Sequence, residues 1–138
     1  MKAGRMLVVL ATSALLIGTF GAGAAIAKKR KTGVVFNSGS PSVSKNGKVR
    51  ARGSLRSAQA CRAHRGMKLF LTDAGGALLA TLDSKTSDLN GNFNLRGRLS
   101  GPVAGTAVYV QVKAIKKKTR KDFCRAGFSP VIQLIVPA

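Results

Sequence analysis

The sequence predicts an all-β protein, a small antiparallel β-sandwich of about seven strands, from three observations. Apolar and polar residues alternate at period two in several short runs. Turn residues separate nearly all of them: Gly75-Gly76, Asn90-Gly91, Gly101-Pro102 and Ser129-Pro130. No segment carries a 3.6-residue apolar repeat through three turns, although residues 57–65 have room for a single helical turn.

Residues 1–27 read as an export signal. Lys2 and Arg5 make a short positive start, residues 6–27 are uncharged, and the most apolar stretch is 7–17. Ala25-Ile26-Ala27 has the small-x-small form of a signal peptidase site, which predicts cleavage between Ala27 and Lys28. No Cys stands nearby for a lipid anchor and no Arg-Arg pair precedes the apolar run, so the general secretory route is expected. The alternative is an uncleaved membrane helix anchoring the protein, since the uncharged run is long enough to span. The weakly apolar Gly/Ala-rich second half and the paired cysteines favour cleavage, and a secreted or extracytoplasmic location.

Residues 28–48 are expected to be a flexible basic arm: Lys28-Lys29-Arg30-Lys31, a short apolar patch at residues 34–36 that could add an edge strand, then the linker-like Asn37-Ser38-Gly39-Ser40-Pro41-Ser42. The sandwich domain is placed at residues 49–138. Its first strand has Val49, Ala51, Gly53 and Leu55 on one face and Arg50, Arg52, Ser54 and Arg56 on the other. Residues 67–72 and 77–82 follow. Then Phe93, Leu95, Gly97 and Leu99 alternate with Asn94, Arg96 and Arg98, and Val108, Val110, Val112 and Ala114 alternate with their neighbours. Residues 131–136 give a last apolar strand. Without the signal, about 110 residues remain, enough for one domain with a modest core.

Charge is the most unusual property of the composition. Lys and Arg total 24 against four Asp, Glu is absent, and losing Lys2 and Arg5 would take the formal charge from +20 to +18. Such a surface attracts polyanions in a salt-dependent way. Cys61 and Cys124 are most simply one disulfide in an exported chain, closing a loop worth about 4 kcal/mol in the chain-entropy model. Two sharper alternatives use the same residues: Cys61, His64 and Cys124 as metal ligands, or Cys61 with His64 as nucleophile and base. The first lacks a fourth ligand and the second an orienting acid. No metal or other cofactor is expected.

Asp88-Leu89-Asn90-Gly91-Asn92 has oxygen side chains at alternate positions, but Phe93 stands where a calcium loop needs its Gly. Asn90-Gly91 reads instead as a tight hairpin turn with positive φ. No nucleophile elbow, phosphate-cradling loop or His-Glu-x-x-His occurs, and Asp73, Asp83, Asp88 and Asp122 lie in or beside expected turns.

The order of these features resembles the transthyretin-like or carboxypeptidase-regulatory-like (Ig-like) β-sandwich modules of exported bacterial proteins. The opening strand Val49-Arg50-Ala51-Arg52-Gly53, the segment Thr86-Ser87-Asp88-Leu89-Asn90-Gly91-Asn92-Phe93 and the strand Val108-Tyr109-Val110-Gln111-Val112 carry the resemblance. Ser87 separates a Thr and Asp that are adjacent in the family pattern, and Leu55 replaces a β-branched residue. The resemblance implies a structural or adhesive module without catalytic residues of its own.

The non-enzymatic structural or adhesive reading therefore leads. The second reading is a binder of anionic polymers of the envelope or surroundings, and the third is a hydrolase with an unrecognised site. Binding would use Arg50, Arg52 and Arg56 from one strand, Arg96 and Arg98 from another, and the loop residues Lys113, Lys116, Lys117, Lys118, Arg120 and Lys121. Nucleic acid is not the expected partner, because aromatic residues to interleave with the basic ones are nearly absent.

Overall fold

The computed structural model describes residues 27–138. The export signal thus lies outside the described residues except for Ala27, at its proposed cleavage site. In chain order the strands are β1 (Lys28–Arg30), β2 (Gly33–Phe36), β3 (Ser42–Val43), β4 (Lys48–Arg56), β5 (Gly66–Thr72) and β6 (Leu78–Thr86). Then come β7 (Asn92–Arg98), β8 (Ala107–Ala114), β9 (Lys117–Lys118), β10 (Asp122–Cys124), β11 (Gly127–Phe128) and β12 (Ile132–Ile135). One helical turn, α1 (Gln59–Arg62), follows β4.

Seven of these strands have four residues or more, and they fall on the runs that the sequence marks. The alternation becomes structure through burial on one face. Along β4, Val49, Ala51, Gly53 and Leu55 are buried while Lys48, Arg50, Arg52 and Arg56 are exposed. β4 pairs antiparallel with β7 on one edge and with β2 and β3 on the other, making a four-stranded sheet. The second sheet has β5 between β6 and β8, with β11 and β12 both on the far edge of β8. The two inner faces form one core: Val49, Ala51, Leu55, Phe93 and Leu95 from the first sheet meet Met67, Leu69, Val110, Val112 and Ala114 from the second. Phe36 meets Phe93 edge to face at 6.4 Å between ring centroids. Gly53 is required for the approach of β2, because a Cβ there would lie 2.0 Å from the Val35 carbonyl oxygen.

Three hairpin connections share one turn. In Ser44–Gly47, Asp73–Gly76 and Asp88–Gly91, the glycine N–H donates to the carbonyl three residues back, and the glycine takes a positive φ. The Asp73 and Asp88 carboxylates each accept backbone N–H groups two and four residues on, at 2.9 Å. The Asn90-Gly91 expectation changes accordingly: Gly91 has φ +86° while Asn90 keeps ordinary φ. The side chain of Asp88 sets a wider turn than the two-residue hairpin.

The expected arm over residues 28–48 carries three short strands joined by turns. β1 runs parallel to β10, which pairs with β9, and Arg30 Nε contacts Asp122 Oδ1 at 2.9 Å. β2 and β3 complete the four-stranded sheet, so among the described residues strand structure is already present from Lys28, ahead of residue 49. Lys28-Lys29-Arg30 has no apolar face to bury. Its backbone is paired by a distant segment that the disulfide ties to α1.

That disulfide joins Cys61 and Cys124 across a Cα–Cα distance of 5.5 Å. Beside it lies Arg65, with no exposed surface. Its guanidinium donates to the carbonyls of Ile115, Cys61 and Arg125 and to Thr32 Oγ1, at 2.7–3.0 Å. Ser87, also buried, accepts from the Arg65 N–H and donates to the Arg62 carbonyl. Burial holds the Arg65 guanidinium below the usual arginine range.

Candidate functional site

The register of β4 against β7 decides what their outer face presents. Lys48 stands opposite Arg98, Arg50 opposite Arg96, Arg52 opposite Asn94, and Ser54 opposite Asn92. All four cations of the first two rows are exposed. Directly opposed side chains in an antiparallel pair have Cβ atoms about 5 Å apart, and successive outward residues along a strand are about 6.8 Å apart. The result is a block of four positive groups around an open groove of about 430 Å³, lined by Lys48, Arg50, Arg96 and Arg98.

None of these four side chains forms an ion pair with a described residue. The ion pairs among the described residues are Arg30 with Asp122 and Lys85 with Asp83. Asp83 borders the face, but its Oδ2 takes the backbone N–H of Arg96 at 2.7 Å and its Oδ1 that of Ser84. Like charges placed directly opposite each other oppose folding, so neither sheet pairing nor ion pairing accounts for these residues.

The remaining basic residues separate into other places. Arg52 adjoins the block, whereas Arg56 lies at the far end of β4, where it pairs with Gly33. Lys113 is on the five-stranded sheet, opposite Lys68, with its Nζ 5.4 Å from the Phe128 ring centroid. Lys117 is a structural residue: its Nζ caps α1 through the Ala63 carbonyl at 2.8 Å and the Ala60 carbonyl at 3.4 Å. Lys116, Lys118, Arg120 and Lys121 are exposed around β9 and β10, in the three-stranded sheet with β1. The expected loop cluster and the expected sheet face are therefore distinct surfaces. Lys48 and Lys68 were not among the expected residues. Lys48 continues the outward parity of Arg50 and Arg52, which was the signal for it, while Lys68 joins Lys113 only through the β5–β8 register.

Chemistry at the cysteines is also decided. Both sulfurs are in the disulfide, so the metal and nucleophile alternatives that needed a thiol lose their ligand and their nucleophile. His64 is exposed at φ +50°, its N–H on the Asp88 carbonyl. The Asn92 backbone N–H, joined by those of Asn90 and Gly91, holds the Asp88 carboxyl below the usual carboxylate range. All four aspartates are engaged: Asp73 and Asp88 in turns, Asp83 on Arg96 and Ser84, Asp122 on Arg30. No group of three or more His, Cys, Asp or Glu side chains suited to a metal ion occurs among the described residues, and no helix there is long and apolar enough to cross a membrane. Neither a known protein-family model nor a curated protein sequence matches the chain.

Proposed function

We propose that this protein is a non-enzymatic, extracytoplasmic adhesive module whose β4/β7 face binds an anionic polymer. The observation that carries the reading is the cross-strand pairing of Lys48 with Arg98 and Arg50 with Arg96, without a carboxylate partner for any of them. Guanidinium groups in such an array bind carboxylate, phosphate or sulfate bidentately, and they exchange a mutual repulsion for two-sided attraction when the ligand arrives. The disulfide supports an oxidising compartment, and the signal-like residues 1–27 support export. The resemblance to exported β-sandwich modules points to the same adhesive class.

The test is elution of the purified, oxidised protein from an immobilised polyanion along a salt gradient. Arg50→Gln/Arg96→Gln is compared with Lys116→Gln/Lys118→Gln, which removes the same charge elsewhere. Binding by the face requires the first variant to elute at markedly lower salt while the second stays near wild type. Equal shifts would mean that net charge alone governs retention, and the site assignment would fail.

A further inference from the structure

We infer that the ligand of the β4/β7 face is an anionic glycan, a polymer carrying hydroxyl groups between its charges. The inference rests on the face being a polyanion site and comes from what lies next to the cationic block. Beyond Arg50 and Arg96 the rows change character: Arg52 faces Asn94 and Ser54 faces Asn92. A groove of about 580 Å³ at this end is lined by Asn37, Arg52, Thr86, Asp88, Asn92 and Asn94. A second groove of about 420 Å³ adds Ser38, Ser40 and Ser42 beside Arg50 and Arg52.

The chemistry of this end discriminates among polyanions. The asparagine amides and serine hydroxyls both donate and accept, and Asp88, whose Oδ1 already takes the Asn90 and Asn92 N–H groups, adds a fixed negative charge. In a bound complex the acceptors still open need donors to replace lost water. A polyphosphate offers acceptors only, and its uniform charge would meet Asp88 unfavourably. The hydroxyls of a glycan both donate and accept, so they satisfy asparagine amides and the carboxylate together, while carboxylate or sulfate substituents sit on the Lys48, Arg50, Arg96 and Arg98 block. Bases of a single-stranded nucleic acid need stacking partners, and the nearby Phe36 and Phe93 are packed into the core. Asn37 and Asn94 make no side-chain hydrogen bond among the described residues, which leaves their amides free for a ligand.

The probes are polygalacturonate and linear polyphosphate of matched charge, titrated into the purified, oxidised protein at about 0.15 M salt. Polygalacturonate should bind about tenfold more tightly, as two or three additional satisfied hydrogen bonds imply. Asn37→Ala/Asn94→Ala, with an unchanged thermal melt, should abolish that preference and leave polyphosphate binding where it was. Equal affinity for the two polymers, or a preference that survives the double substitution, overturns the glycan assignment. Arg50→Gln/Arg96→Gln separates the two levels. If it weakens both polymers but no glycan preference exists, the glycan assignment alone fails; if it weakens neither, the basic-face reading fails with it.

Discussion

Arg65 is sealed inside the protein and gives four hydrogen bonds, to three backbone carbonyls and the Thr32 hydroxyl, whereas Arg50 and Arg96 stand side by side in solvent. Among the described residues neither of the exposed pair has an acidic partner. Arg65 has none either, but its position makes the cation useful. Thr32 follows β1, Cys61 is in α1, Ile115 follows β8 and Arg125 follows β10, so one planar group holds four segments of distant sequence. The same side chain outside holds nothing together and stands against a like charge. Fold stability accounts for the inner arginine. The outer pair sets like charge against like charge, and the polyanionic ligand proposed above would give it a purpose outside the fold.

The largest way to break the inner half of this comparison is through the disulfide, whose Cys61 also supplies a carbonyl to Arg65. Cys61→Ser/Cys124→Ser is expected to lower stability by about 4 kcal/mol, as loop closure over a separation of 63 residues implies. Urea unfolding of the oxidised wild type against the variant measures it. A difference below about 1 kcal/mol would mean that β1, β9 and β10 are held mainly by other contacts.

Arg65→Met comes next, at about 3 kcal/mol. Methionine fills much of the volume but leaves three carbonyls and a hydroxyl without this donor, the Cys61 carbonyl among them fully buried. Arg65→Lys retains the charge on a compact ammonium that lacks the fork, so it should recover only part of the loss. Full recovery by lysine would show that charge rather than geometry matters at this position.

Acid sharpens the comparison without altering any arginine, because Asp88 holds the hairpin that delivers β7 and Arg96. Its folded pKa lies below the unfolded value of about 3.8, so the folded state binds fewer protons there. The contribution is complete above that value and is lost as pH falls through the lower, folded one. Asp88→Asn should therefore destabilise at neutral pH and flatten the fall in stability below about pH 4. Melting temperatures across pH 2–6 test this, and parallel wild-type and variant curves would count against the assigned role of Asp88.

The outer face was more legible in the sequence than the inner clamp, for a physical reason. Strand parity is local: Val49, Ala51 and Leu55 face the core, so Arg50 and Arg52 must face out, and Phe93 and Leu95 fix Arg96 in the same way. Only the pairing of the two strands needed the structure. Arg65 gave no such signal, since nothing adjacent to it differs from an ordinary exposed arginine and all its side-chain partners but Cys61 lie more than thirty residues away. β1 was hidden likewise, because Lys28-Lys29-Arg30 has the composition of a solvated tail and acquires its partner from residues 122–124. Lys117 shows what composition hides, a lysine in a basic run whose Nζ also caps a helical turn.

The smallest expected effect is the most informative about the outer pair, because it has the opposite sign to all the others. Arg50→Gln/Arg96→Gln removes two like charges that face each other across β4 and β7, so it should raise stability by about 0.5 kcal/mol at low salt. The gain should fade as added salt screens the wild-type repulsion, which has a Debye length of about 8 Å at physiological ionic strength. Over the same salt range, the variant should bind polyanion more weakly than wild type. Denaturation and binding measured on one preparation would then show stability and affinity moving in opposite directions, as expected of residues retained for a ligand at the expense of the fold. A loss of stability at low salt would instead mean that these arginines contribute packing through their aliphatic stems, and the contrast with Arg65 would be one of degree.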